Sequence, residues 1–102
     1  MKKRLRLSPE TRKRRILDAA IELAIKHGYD RISSKKVAHY AGVNSGLIFY
    51  YFGNMAALKR EVMRVAIEQE NIIIIAQGLV AKDPLTLKAS NELKQKATAN
   101  LA

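Results

Sequence analysis

Cations are the side chains this sequence has set out for chemistry. Fourteen of its nineteen Lys and Arg residues fall within positions 1–60, against four acids (Glu10, Asp18, Glu22 and Asp30). Positions 61–102 hold five residues of each sign, so the whole net charge of +10 sits in the first three-fifths of the chain. A basic part beside a neutral one points to polyanion binding by the first and a different task for the second. Charging for solubility alone would have spread over both.

Residues suited to covalent chemistry do not assemble. Cysteine is absent, which removes disulfides, thiolate zinc sites and cysteine nucleophiles together. His27 and His39 match no recognised metal spacing and have no thiol partner. There is no nucleophile motif, no suggestive pair of acids and no Gly-rich phosphate loop. The expectation is a non-enzyme with no catalytic residue, no metal and no cofactor. Absence of cysteine fits a reducing cytoplasm. The longest apolar run, Ile72–Ala76, is far too short to cross a bilayer, and the basic start lacks the apolar segment of a signal peptide. No membrane partner is expected.

Elements able to carry the cations read as helices, and the fold class expected is all-α. Positions 1–7 are a basic arm without period. Ser8-Pro9-Glu10 is a cap, a first-turn proline and an acid at a helix start. Leu17, Ala20, Ile21, Ala24 and Ile25 follow as one stripe, closed by Lys26-His27-Gly28. Ser33 caps a short helix through Ala41, with Val37, Ala38 and Ala41 inward. Gly42 ends it, and Asn44 caps a third helix through Phe52. Ile48 and Phe52 share one face of that helix, with Gly46, Leu47 and Tyr50 roughly opposite. Gly53-Asn54 open a fourth, long helix whose stripe (Leu58, Val62, Val65, Gln69, Ile72, Ile73, Ala76) runs up to Gly78. Asp83-Pro84 start a short fifth, with Leu85, Ala89, Leu93 and Ala97 in an i+4 row.

Two short helices joined by a tight Gly-containing turn are the physical recipe for a helix-turn-helix, which braces one helix on phosphate and presents the next to the major groove. The stretch from Arg14 to Val62 resembles the DNA-binding domain of the TetR family. The resemblance is carried by Ile16-Leu17, Ala19-Ala20, Gly28-Tyr29, Ser33, Val37-Ala38, Ala41-Gly42-Val43, Gly46, Ile48, Tyr51-Phe52 and Leu58, and it covers about residues 12–65. It implies a three-helix reading head on double-stranded DNA, within a transcriptional regulator acting as a repressor in the bacterial nucleoid. A nucleoid, replication or partition factor would use the same head. Three positions depart from the family pattern. Asn44 stands for Ser and keeps the cap; Phe49 stands for Tyr and Met55 for Lys, each removing an expected phosphate contact.

Residues assigned to DNA are therefore Ser33, Ser34 and Lys35 at the start of the first short helix, and Asn44, Ser45, Gly46 and Leu47 at the start of the second. Tyr50 and Tyr51 join them as phosphate or base-edge contacts, because Ile48 and Phe52 already claim the inner face. Leu47 suits a thymine methyl, which needs no polar group. Arg4 and Arg6 of the arm belong either to a solvated tail or to an element entering the minor groove.

Family members usually continue into a second helical domain that dimerises and binds an effector. About forty residues come after the head here, so either the chain is a miniature or the remainder is absent. These residues are too few to enclose a pocket of about 300 Å³, and no small-molecule effector is expected within them. The organisation expected is an arm over 1–7, a DNA-binding domain over 8–65 and a dimerisation segment over 66–102. Ile74 and Ile75 fall off the fourth helix's stripe and would face water in a monomer. With Leu79, Leu85 and Leu93 they are assigned to a homodimer interface.

Overall fold

The computed structural model describes residues 8–101, and all of the regular structure among them is helical. The helices are α1 (Pro9–His27), α2 (Ser34–Ala41), α3 (Ser45–Phe52), α4 (Met55–Glu68), α5 (Ile72–Val80), α6 (Pro84–Leu87) and α7 (Asn91–Leu101), with a 3-10 turn over Tyr29–Arg31. Arg4 and Arg6 lie outside the described residues.

Side-chain caps set most of these starts. Ser8 accepts from the Thr11 amide at 3.1 Å, Ser33 from Lys36 at 3.2 Å and Asn54 from Ala57 at 2.8 Å. Each satisfies an amide the first helical turn leaves open, worth about 1 kcal/mol. Gly42 closes α2 at φ 70°, a left-handed conformation glycine adopts without a Cβ penalty. α1, α2 and α4 thus begin where their capping residues dictate, and α2 ends at its glycine.

α1 crosses the head and packs against α2, α3 and α4. Its buried arc is Ile16, Leu17, Ala19, Ala20, Leu23 and Ala24. The arc is narrower than the expected stripe on one side: Ile21 is half-buried and Ile25 is exposed. From the other helices Val37, Ile48, Leu58, Val62 and Met63 complete the same cluster.

The long fourth helix is not continuous, which corrects the expectation of one helix to Gly78. α4 stops at Glu68, and Glu70 takes a left-handed φ of 53°. The Asn71 amide then bonds back to Ala66 O at 2.8 Å and the Glu70 amide to Ile67 O at 3.2 Å, closing a Schellman motif. Asn71 also caps α5 through the Ile74 amide at 3.3 Å. The redirected chain turns Ile74 and Ile75 inward, where both are fully buried. Their assignment to a water-facing interface is therefore corrected: they are core residues. Burying each contributes about 1.5–3 kcal/mol within a single chain.

The expected fifth helix is two helices. Asp83 caps α6 through the Thr86 amide at 3.1 Å, a tight turn ends it after Leu87, and Ser90 accepts from the Leu93 amide at 3.2 Å to open α7. α7 lies along α5 and brings Leu93 and Ala97 into the core. Leu93, at 9% exposure, is thus also removed from the expected interface, while Leu79 and Leu85 are half-buried.

Tyr29 ties the head to the C-terminal helices. It is buried, and its amide donates to Gln77 Oε1 of α5 at 2.7 Å. Its hydroxyl donates toward Lys59 O of α4 at 3.0 Å and lies 3.2 Å from Asp83 Oδ1 at the start of α6. The expected boundary after residue 65 falls inside α4, and the bonds to Gln77 and Asp83 cross it.

Candidate nucleic-acid interface

The α2–α3 unit is held by backbone bonds around Gly42. The Val43 amide reaches Ala38 O at 3.0 Å and the Gly42 amide His39 O at 3.3 Å, which reverses the chain within three residues. Asn44 then starts α3 by accepting from the Gly46 amide at 2.7 Å. A Cβ on Gly46 would lie 3.1 Å from that Asn44 Oδ1, tighter than ordinary contact. Gly46 therefore lets the cap close while leaving the helix start without bulk.

α3 carries no charged side chain. Ile48 is its one fully buried residue, and it anchors the helix to the core. Ser45, Gly46, Phe49 and Tyr50 are exposed, Tyr50 to 79%. Leu47, Tyr51 and Phe52 are half-buried and packed against the core. Leu47 thus offers a thymine methyl only part of its side chain. Tyr50 and Tyr51 meet edge to face with ring centres 5.1 Å apart, so Tyr51 braces the more exposed ring.

At the start of α2, Ser33 and Ser34 are half-buried while Lys35 and Lys36 are exposed. A surface groove of about 450 Å³ runs beside them, lined by Leu23, His27, Lys35, Lys36, His39 and Tyr40. Tyr40 carries Lys26 over its ring at 5.8 Å, and the Lys26 ammonium is bonded to Glu22 at 3.0 Å. That hydrogen bond, then the charge of Glu22, holds the ammonium above its ordinary pKa.

Sequence reasoning missed two features of this face. Phe49 is more than a lost hydroxyl, because its ring is 42% exposed on the outer side of α3. Lys13, to which the sequence assigned no role, places its Nζ 5.3 Å from the centre of the Phe52 ring, at the last residue of α3. The i+3 and i+4 relation of Lys13 to buried Ile16 and Leu17 was the available signal.

Two further clefts, of about 370 and 420 Å³, lie along Tyr29–Lys59–Leu85 and along Glu10–Asp18. All three clefts exceed the volume at which a pocket becomes drug-sized, but each is open at the surface. The expectation of no effector within these residues thus rests on enclosure and not on volume. Among the described residues no group of three or more His, Asp or Glu is placed to hold a metal ion. No described helix is long and apolar enough to cross a membrane.

Residues 16–62, which span α1 through most of α4, match the family model described as bacterial regulatory proteins, tetR family. Over these residues the chain carries a tetR-family domain. It is 39% identical over 59 residues to the HTH-type transcriptional repressor KstR of Rhodococcus jostii (strain RHA1), covering 53% of this chain and 28% of that protein. It is 35% identical over 79 residues to the fatty acid metabolism regulator protein of Bacillus subtilis (strain 168), covering 74% of this chain and 40% of that one. The match thus spans less than half the length of either relative. No solved structure matches the chain. The matched residues contain α2–α3, the helix-turn-helix of this tetR-type domain.

Proposed function

We propose that this chain represses transcription by binding a pseudo-palindromic operator as a homodimer in the cytoplasm, at the bacterial nucleoid. The observation that carries the reading is the start of α3. Ser45 and Gly46 stand exposed and uncharged there, and the short turn at Gly42 joins them to the end of α2, the helix whose start bears Lys35 and Lys36. Small residues let a helix end enter the major groove, and neighbouring cations hold the flanking phosphates.

In this reading Ser45 and Leu47 read bases, Tyr50 and Lys35 hold phosphate, and Tyr51 positions Tyr50. Ser33 and Ser34 offer hydroxyls and helix-start amides to phosphate, and Asn44 sets the angle of α3. Arg4 and Arg6 add charge from the arm. Organisation into a reading domain and a following helical segment is retained, with the second dimerising. Its large apolar side chains left open to water are Ile73, Val80, Leu87 and Leu101, with Leu79 and Leu85 half-buried. No small-molecule effector is assigned to these residues, and the chain is not assigned an enzymatic activity.

The test is selection of bound fragments from random duplex DNA, followed by sedimentation of the protein alone and on the selected site. Two-fold related half-sites about one turn apart, roughly 34 Å, are expected with two protomers bound. Recovery of no preferred sequence overturns the reading.

A further inference from the structure

We propose that Lys13 of α1 grips a DNA phosphate at the C-terminal end of the reading helix, an inference that rests on the operator reading above and assigns one more residue to it. Helix periodicity places the residue. Ile16 and Leu17, three and four positions on, are buried, so Lys13 continues the core-facing stripe one turn beyond its last apolar member. Its ammonium therefore emerges at the seam where α1 meets α3, and Nζ lies 5.3 Å from the Phe52 ring centre.

That ammonium is unspent. Arg14, its neighbour, is tied back to Asp18 at 2.9 Å, whereas Lys13 forms no salt bridge among the described residues. Glu61 is the acid it influences, and that carboxylate is already bonded to Arg64 at 2.6 Å. α3 has no charge of its own, and α4 carries no cation before Lys59. A helix seated in a major groove is bordered by phosphates at both ends. At the C-terminal end of α3, Lys13 is the cation the structure sets against the helix.

A purely structural role is the competing account, since a cation over an aromatic ring at a helix C-terminus is favourable without DNA. The two separate in salt dependence. Binding of the selected duplex and of a random duplex is measured between about 50 and 300 mM salt for the full chain and for K13Q, K13R and K96Q, with a thermal melt of each. One lost phosphate contact makes the log–log slope of K13Q shallower by about 1 per bound protomer. Affinity at 0.1 M salt falls roughly five- to tenfold per protomer, alike on both duplexes. K13R keeps the original slope, and so does K96Q, whose lysine pairs with Glu92 on α7. An unchanged K13Q slope beside a lowered melting temperature overturns the assignment and leaves the operator reading standing. A salt-insensitive parent protein overturns both.

Discussion

Leu47 and Tyr50 occupy the same reading helix but predict opposite kinds of loss. Leu47 is half-buried and apolar, so Leu47→Ala is expected to change which base is preferred, by about 1–3 kcal/mol at one position of the selected site. Tyr50→Phe removes only a hydroxyl and should weaken every sequence alike. Selection repeated with each variant separates the two, and an unaltered preference in Leu47→Ala removes it from the readers. Tyr29 answers to stability and not to DNA. Burial first, then the charge of Asp83 and the hydrogen bond to it, push its hydroxyl pKa well above the ordinary value of about 10; Arg60 opposes them weakly. A raised pKa means that the fold favours the protonated phenol. Its contribution is therefore whole below about pH 10 and is lost as pH rises beyond that. Tyr29→Phe is expected to cost about 1–2 kcal/mol at neutral pH and to flatten the alkaline decline, as read by urea denaturation between pH 7 and 11.

Helix ends, more than helix faces, decided what could be read from the chain. Ser8, Ser33, Asn44, Asn54 and Asp83 each cap a helix where the sequence placed them, because a side-chain oxygen before an apolar stripe is a local signal. The start of α5 was illegible for an equally local reason. Its preceding turn uses Glu70 at φ 53° where glycine is the usual marker, and Lys82 at φ 57° does the same after α5. Without a glycine or proline, the isoleucine run reads as more of α4, and a helix joined in that way gives Ile74 and Ile75 the wrong face. Their burial depends on a break that no strong sequence marker announces. The same geometry makes Glu70→Gly and Lys82→Gly each expected to stabilise the fold by up to about 1 kcal/mol, from relief of left-handed strain, by thermal melting. Gly78 predicts the reverse. A Cβ there would collide with the Thr86 side chain and the Met63 methyl, both inside the core. Gly78→Ala is expected to destabilise by about 1–3 kcal/mol through overpacking.

Over the whole molecule, charge and apolar surface are divided between the two parts of the chain. The head carries the cations, and a dimer neutralising about 3–5 phosphates per protomer gives a log–log salt slope of about −5 to −9. The neutral part carries the exposed Val80 and Leu87, at 69% and 49%. The pair of changes Val80→Lys and Leu87→Lys is expected to yield a folded monomer by sedimentation, with much weaker operator binding; a dimer that persists would move the interface elsewhere. The Tyr29 bonds bear on how such a protein can be cut and recombined. A head excised after residue 65 would leave behind Gln77 and Asp83, and so strand a backbone amide and remove one of two partners of a buried phenol. Chimaeras that graft this reading specificity onto another regulator should therefore splice beyond Asp83, or supply a glutamine and an aspartate of their own at the seam.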